Sequence, residues 1–136
     1  MAANHIEGGC FCGAVRYCAT QAPLGSMICH CRTCRRVAGS PVVAWLTFAG
    51  SEFAFTHGVP AELQSSKGVR RRFCAACGTP LTYENETSPG EIDVTTCTLH
   101  DPEAFPPTHH SWMKHDLTWV RFGDELPGFP QSRADG

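Results

Sequence analysis

The sequence predicts a mainly β fold: one domain of small antiparallel sheets with zinc knuckles and few short helical turns. Three observations carry this. The apolar runs are of strand length, turn signals separate them, and cysteines recur at metal-ligand spacing. There is no repeat, no heptad pattern and no long helical periodicity.

Ala14-Val15-Arg16-Tyr17 reads as the first strand, after the turn signal Gly8-Gly9. Arg32 to Ala38 has the length of one or two helical turns, stopped by Gly39 and Pro41. Pro41 to Phe48 reads as a strand and is broken only by Thr47. Glu52 to Thr56 follows Ala49-Gly50, and His57-Gly58-Val59-Pro60 closes it. Val69 to Phe73 follows Lys67-Gly68; Pro80 to Tyr83 comes next, and Glu91 to Leu99 follows Ser88-Pro89-Gly90. Asp101 to Phe105 reads as a short helical turn capped by Asp101 and ended by Pro106-Pro107. The tail from Leu126 to Pro130 is expected to be extended, with residues 1–5 and 131–136 frayed.

The chain has 136 residues, one ordinary domain, 1–136. At this size roughly 65–70% of the unfolded surface is buried, enough for a core. A net charge of −2 gives no support for a general nucleic-acid surface. No charged n-region precedes an apolar run, and no segment approaches the ~18 apolar residues of a membrane span. These features point to a soluble, cytoplasmic protein. Nine cysteines without a signal peptide argue for metal rather than disulfides, and an odd number cannot pair fully.

The cysteines sort by spacing. Cys10 and Cys12 form C-x-C, and Cys74 and Cys77 form C-x2-C followed by Gly78. Cys29, Cys31 and Cys34 form C-x-C-x2-C; Cys18 and Cys97 are solitary. The C-x2-C-G turn is a zinc knuckle, its glycine permitting the tight bend. In an extended C-x-C the side chains i and i+2 share a face, with Cα atoms ~6.5 Å apart. Zn–S bonds near 2.3 Å place tetrahedral sulfurs roughly 3.8 Å apart, within reach of inward-leaning side chains. Pairing two and two, Cys10, Cys12, Cys74 and Cys77 close a structural zinc site. The remaining cluster supplies three ligands and leaves a fourth position open, the pattern of a working zinc. Two alternatives stay open: Cys97 or Cys18 completes the second site, or the thiols are redox groups without metal.

At this point the chain resembles a known family, the glutathione-dependent formaldehyde-activating enzymes with their centromere-protein-V relatives. The resemblance runs through GGCFCGAVRY, CHCRTCRRVAGSP, RRFCAACGTPLTY, DVTTCTLHDPEAFPP, HHSW and ELPGF. It implies a β-tent zinc fold with two zinc ions per chain. It implies a structural zinc on Cys10, Cys12, Cys74 and Cys77, and a catalytic, exchangeable zinc on Cys29, Cys31 and Cys34. The activity implied is addition of formaldehyde to glutathione, giving S-hydroxymethylglutathione. This chain departs from the namesake enzymes in being shorter. It also carries His100 where relatives often have an acid, and adds Cys18 and Cys97.

The chemistry suits such a site. Three thiolates on zinc carry a formal charge near −1, a weak Lewis acid for hydroxide but a soft environment for a fourth sulfur. Metal coordination deprotonates a thiol. The expected reaction is therefore carbon–sulfur lyase or synthase chemistry between a small aldehyde and a thiol. The competing readings are a zinc module that binds protein or nucleic acid without turnover, and a thiol sensor that releases zinc on oxidation.

Residues outside the cysteine clusters have expected places too. His30 points opposite to its flanking ligands, where it either lines the cleft or stands exposed. Arg35 and Arg36 are expected in a solvated turn, although they could meet a carboxylate. Arg70, Arg71 and Arg72 lie on a solvated edge strand, Arg71 facing opposite to the others. Trp45, Trp112 and Trp119 are core or cleft wall. His109 and His110 form a surface pair. His100, Ser40 and Thr79 serve turns.

Overall fold

Each apolar run of strand length forms a strand in the structure, a computed structural model that describes residues 5–133. Among these residues ten strands and one α-helix occur. The strands are β1 (Ile6–Gly9), β2 (Arg16–Ala19), β3 (Gly25–Cys29), β4 (Val43–Ala49) and β5 (Phe53–His57). They continue as β6 (Ala61–Ser66), β7 (Val69–Phe73), β8 (Pro80–Asn85), β9 (Glu91–Thr95) and β10 (His109–Ser111). The helix, α1, is Arg32–Ala38, the expected bounds. It ends at Gly39, whose N–H reaches the Arg35 carbonyl at 2.7 Å.

Two sheets form: β1-β2-β5, and the larger β10-β3-β4-β9-β8-β7-β6. All pairings are antiparallel except β10 with β3, which is parallel. Because side chains alternate across a strand, the large sheet has two faces of different character. One carries Leu46, Phe48, Ile92 and Val94 into the main core with Tyr17 and Ala19 of the small sheet. Each such side chain contributes about 1.5–3 kcal/mol on burial. The opposite face carries a row of paired residues, Gly25, Thr47, Asp93, Tyr83 and Arg71, on five neighbouring strands. That second face is the floor of a cleft.

Four strands differ from expectation. β1 takes in the Gly8-Gly9 pair read as a turn. A Cβ on Gly8 would lie 2.4 Å from Tyr17 Oη and 2.5 Å from the Thr98 carbonyl, so glycine serves close approach here. Gly8→Ala is expected to cost about 2 kcal/mol by overpacking, read as a lowered thermal midpoint. β3, β6 and β10 hold too many polar or glycine residues to stand out alone; their partners define them. β6, not β7, is the sheet edge, so the arginine strand is interior.

Other local corrections follow. Glu91 to Leu99 is strand only to Thr95, then turns through Thr96–Thr98 as a 3-10 segment. The Thr98 hydroxyl donates to the Thr95 carbonyl at 2.8 Å. Cys97 is therefore in an exposed turn rather than in a strand. The turn Pro102–Ala104 forms, but the Asp101 side chain makes no cap bond. The tail is stitched to β10 and beyond: His110 N–H reaches the Pro127 carbonyl and Trp112 N–H the Gln131 carbonyl. Of the segments expected to fray, residues 1–4 and 134–136 lie outside the described residues.

Candidate metal centres and their cleft

The first thiol cluster joins two distant parts of the chain. Cys10 and Cys12 follow β1, and Cys74 and Cys77 follow β7. Cys10 Sγ and Cys12 Sγ are 3.7 Å apart, as are Cys12 Sγ and Cys74 Sγ. These match the separation of tetrahedral zinc thiolates, about 3.8 Å. All four sulfurs lie within 4.8 Å of one another. Val15 N–H donates to Cys10 Sγ at 3.3 Å and Cys77 N–H to Cys74 Sγ at 3.4 Å. Such N–H groups favour the thiolate form. Gly78 closes the knuckle at φ +82°, as its position in C-x2-C-G requires. Thr79 does more than shape the turn: its Oγ1 lies 3.1 Å from Cys77 Sγ and accepts from Phe11 N–H. The Thr79 hydrogen bond brings the Cys77 thiol down to about 5.

The second cluster is Cys29, Cys31 and Cys34, again within 4.8 Å of one another. Cys29 ends β3, Cys31 is the N-cap of α1, and Cys34 lies in its first turn. Cys31 Sγ accepts the Cys34 N–H at 3.2 Å, the bond an N-cap side chain makes. Hydrogen bonds from Cys29 and Cys34 hold the Cys31 thiol well below the usual range. The same sharing with Cys31 pushes Cys29 up. No other histidine, cysteine or carboxylate among the described residues joins this group. Cys18 sits in β2, its Sγ 3.7 Å from the Ala19 carbonyl. Neither it nor Cys97 fills the fourth position. Two soft donor sets of four and three thiols fit zinc.

The second cluster opens onto a cleft of about 1300 Å³ over the polar face of the large sheet. This exceeds the common range for small-molecule sites. Trp45, Tyr83 and Trp112 form apolar wall; Arg71, Asp93 and His109 supply charge and polarity. A smaller depression of about 330 Å³ over β7 and β8 has no cysteine or histidine in its lining.

Asp93 is half-buried and accepts from Thr47 Oγ1 at 2.6 Å. Burial outweighs that bond and pushes its carboxyl up to about 6. The ionised form is thus disfavoured in the folded state. Stability falls as pH rises from the ordinary carboxylate value, about 3.9, through about 6. Asn keeps an acceptor for Thr47 and removes the charge. Asp93→Asn is expected to stabilise the protein more at pH 7 than at pH 5, read by paired thermal denaturation.

Several accessory residues sit differently from expectation. His30 is buried, at 1% exposure, and does face away from its neighbours' thiols. Its Nε2 lies 2.9 Å from His110 Nδ1, and His110 Nε2 lies 3.1 Å from Asp124. If Asp124 accepts from His110, then His110 accepts from His30, which fixes both tautomers by their partners. Phe122 packs on both rings. The chain braces the segment between Cys29 and Cys31 from behind. His109 and His110 are buried too, so they are no surface pair. Arg35 is not a carboxylate receptor: it donates to the backbone carbonyls of His30, at 2.8 Å, and His115. Trp45 is buried and Trp112 partly so, whereas Trp119 is 69% exposed. Ser40 serves a turn, donating to the Val42 carbonyl, and His100 is exposed with its N–H on the Glu7 carbonyl. No helix among the described residues is long and apolar enough to cross a membrane.

Sequence reasoning missed Asp93 and the inward turn of Arg71. A lone Asp in an apolar run, and the odd member of an arginine triplet, were the available signals.

Comparison with known proteins bears on the fold and the family. A crystal structure of a Rhodobacter sphaeroides protein superposes with a TM-score of 0.60 at 21% identity. The match covers 90% of this chain and 99% of that one, a likeness of fold. A Schizosaccharomyces pombe protein named an uncharacterized lyase is 33% identical over 85 residues. That match takes in 61% of this chain and 61% of the relative's length. The family model for the glutathione-dependent formaldehyde-activating enzyme matches residues 5–115. The chain belongs to the glutathione-dependent formaldehyde-activating enzyme family.

Proposed function

We propose that this protein is a lyase-type enzyme that joins a small aldehyde to a thiol, or parts the two, at Cys29, Cys31 and Cys34. Formaldehyde and glutathione are the substrates that the family suggests. Both thiol clusters are read as zinc sites, two ions per chain: a structural one at Cys10, Cys12, Cys74 and Cys77, and an exchangeable one at the cleft. A single observation carries the reading. The second cluster has three thiols, no fourth donor among the described residues, and a cleft at its mouth.

Zinc held by the three thiols would offer a fourth position at which an outside thiol loses its proton. In the synthetic direction the sulfur forms a bond to the carbonyl carbon, the C=O π pair moves to oxygen, and a proton ends there. No oxidant or co-reactant is needed. The chain's residues do the rest. Trp45, Tyr83 and Trp112 shield the site from water, which strengthens every charge interaction within it. Asp93 lines the same cleft, and burial pushes its carboxyl up to about 6, which suits it to carry the proton between thiol and adduct oxygen.

A module that binds nucleic acid without turnover lacks the charge it needs. Arg70 and Arg72 both pair with Glu62, and Arg72 also with Glu84. Arg71 is buried.

The test is titration of the zinc-loaded protein with glutathione, read by X-ray absorption at the zinc edge. One of the two ions should gain a sulfur neighbour, and added formaldehyde should exchange into the hydroxymethyl thioether by NMR. Sulfur coordination that stays unchanged at both ions would remove the mechanism.

A further inference from the structure

Arg71 is the one member of its triplet that turns into the cleft. Its exposure is 5%, and it forms part of the cleft wall beside the second thiol cluster. Its Nε donates to Ser65 Oγ at 3.0 Å, and Nη2 lies 3.7 Å from Cys34 Sγ. The guanidinium carbon sits 4.9 Å from the centre of the Tyr83 ring. Three of its faces are therefore held. Nη1 is buried and has no acceptor among the described residues.

This is an unusual state for arginine. A buried guanidinium normally meets a carboxylate, and a buried donor without an acceptor costs stability. Arg70 and Arg72 each have a glutamate. Arg71 has no carboxylate within ion-pair distance among the described residues. Asp93 is in the same cross-strand row but two strands away, roughly 9.5 Å. Arg71 lines the cleft, and an oxygen brought to this donor from there would supply the missing acceptor.

We propose that Arg71 is an oxygen receptor for the ligand's reacting end: its Nη1 takes an oxygen atom carried within three bonds of the ligand's sulfur. The proposal rests on the thiol-binding reading above and narrows its substrate class. The site then favours thiols whose carbon next to sulfur bears a hydroxyl, alkoxide or carboxylate over purely hydrocarbon thiols. Ser65 and Tyr83 are positioning residues, fixing the plane of the fork. A guanidinium is suited to this because its donors are rigid and its charge is permanent.

The experiment compares two thiols of nearly equal shape, mercaptoacetate and 2-methylpropane-1-thiol, whose methyls replace the carboxylate oxygens. Binding to the cobalt-substituted protein is read from the new thiolate-to-metal absorption. The native protein should prefer mercaptoacetate by about tenfold or more, the scale of a charge-assisted hydrogen bond. Arg71→Met should bring the preference close to one while the hydrocarbon thiol binds as before. Arg71→Lys keeps the buried charge, guarding against loss of fold, and should lower the preference several-fold because the fork is gone. A preference undiminished in either variant overturns the proposal. So does a native protein that binds both thiols equally, or an Arg71→Met that weakens both alike, the mark of mere charge balance. If neither thiol binds the native protein, the thiol-binding reading fails first and takes this one with it.

Discussion

Cys74→Ser is expected to leave the chain without a stable fold. Cys74 is almost fully buried in the main core, and its sulfur lies 3.7 Å from Cys12 across 62 residues of chain. A metal there would tie the hairpin after β1 to the knuckle after β7. Closing so long a loop is entropically costly, and the ion offsets that cost. Structural zinc contributes about 10–16 kcal/mol in small zinc domains, whereas a whole domain is stable by about 5–15 kcal/mol. Loss of one of four thiols therefore exceeds the margin. Circular dichroism should show no cooperative thermal transition, and zinc should fall well below two per chain. A Cys74→Ser protein that melts cooperatively near the native midpoint would contradict the structural assignment.

Cys31→Ser should separate the two centres. The second cluster closes a segment of only six residues, Cys29 to Cys34, so little loop entropy depends on it. Cys31 also caps α1, but serine is among the best N-cap residues, and its oxygen can accept the Cys34 N–H. Arg35 still anchors the helix to the His30 carbonyl. The fold should survive with a loss of about 1–2 kcal/mol. Zinc should drop from two to near one per chain, and thiol binding should vanish. Equal unfolding by both substitutions would show that the division into structural and working sites is wrong.

Both predictions begin with spacing that is visible in the chain. The C-x-C and C-x2-C-G pairs were legible because metal geometry constrains residues close in sequence. The helix after Cys31 was legible for the same reason, with Gly39 marking its end. The central strands β4 and β9 were legible because one face is apolar throughout. β3, β6 and β10 were not, since Gly25-Ser26, Gln64-Ser65-Ser66 and His109-His110-Ser111 carry no apolar alternation. They become strands through hydrogen bonds to partners distant in the chain.

The sequence by itself determined which thiols group and that the fold is mainly β. Ligand spacing and strand periodicity act over a few residues, so they are written locally. The tertiary structure alone decided that Arg71 turns inward while Arg70 and Arg72 turn out to Glu62. It also decided that Asp93 lines a cleft and that His30, His110 and Asp124 form one chain. Strand parity says which residues share a face; only the order of strands in the sheet says what that face meets.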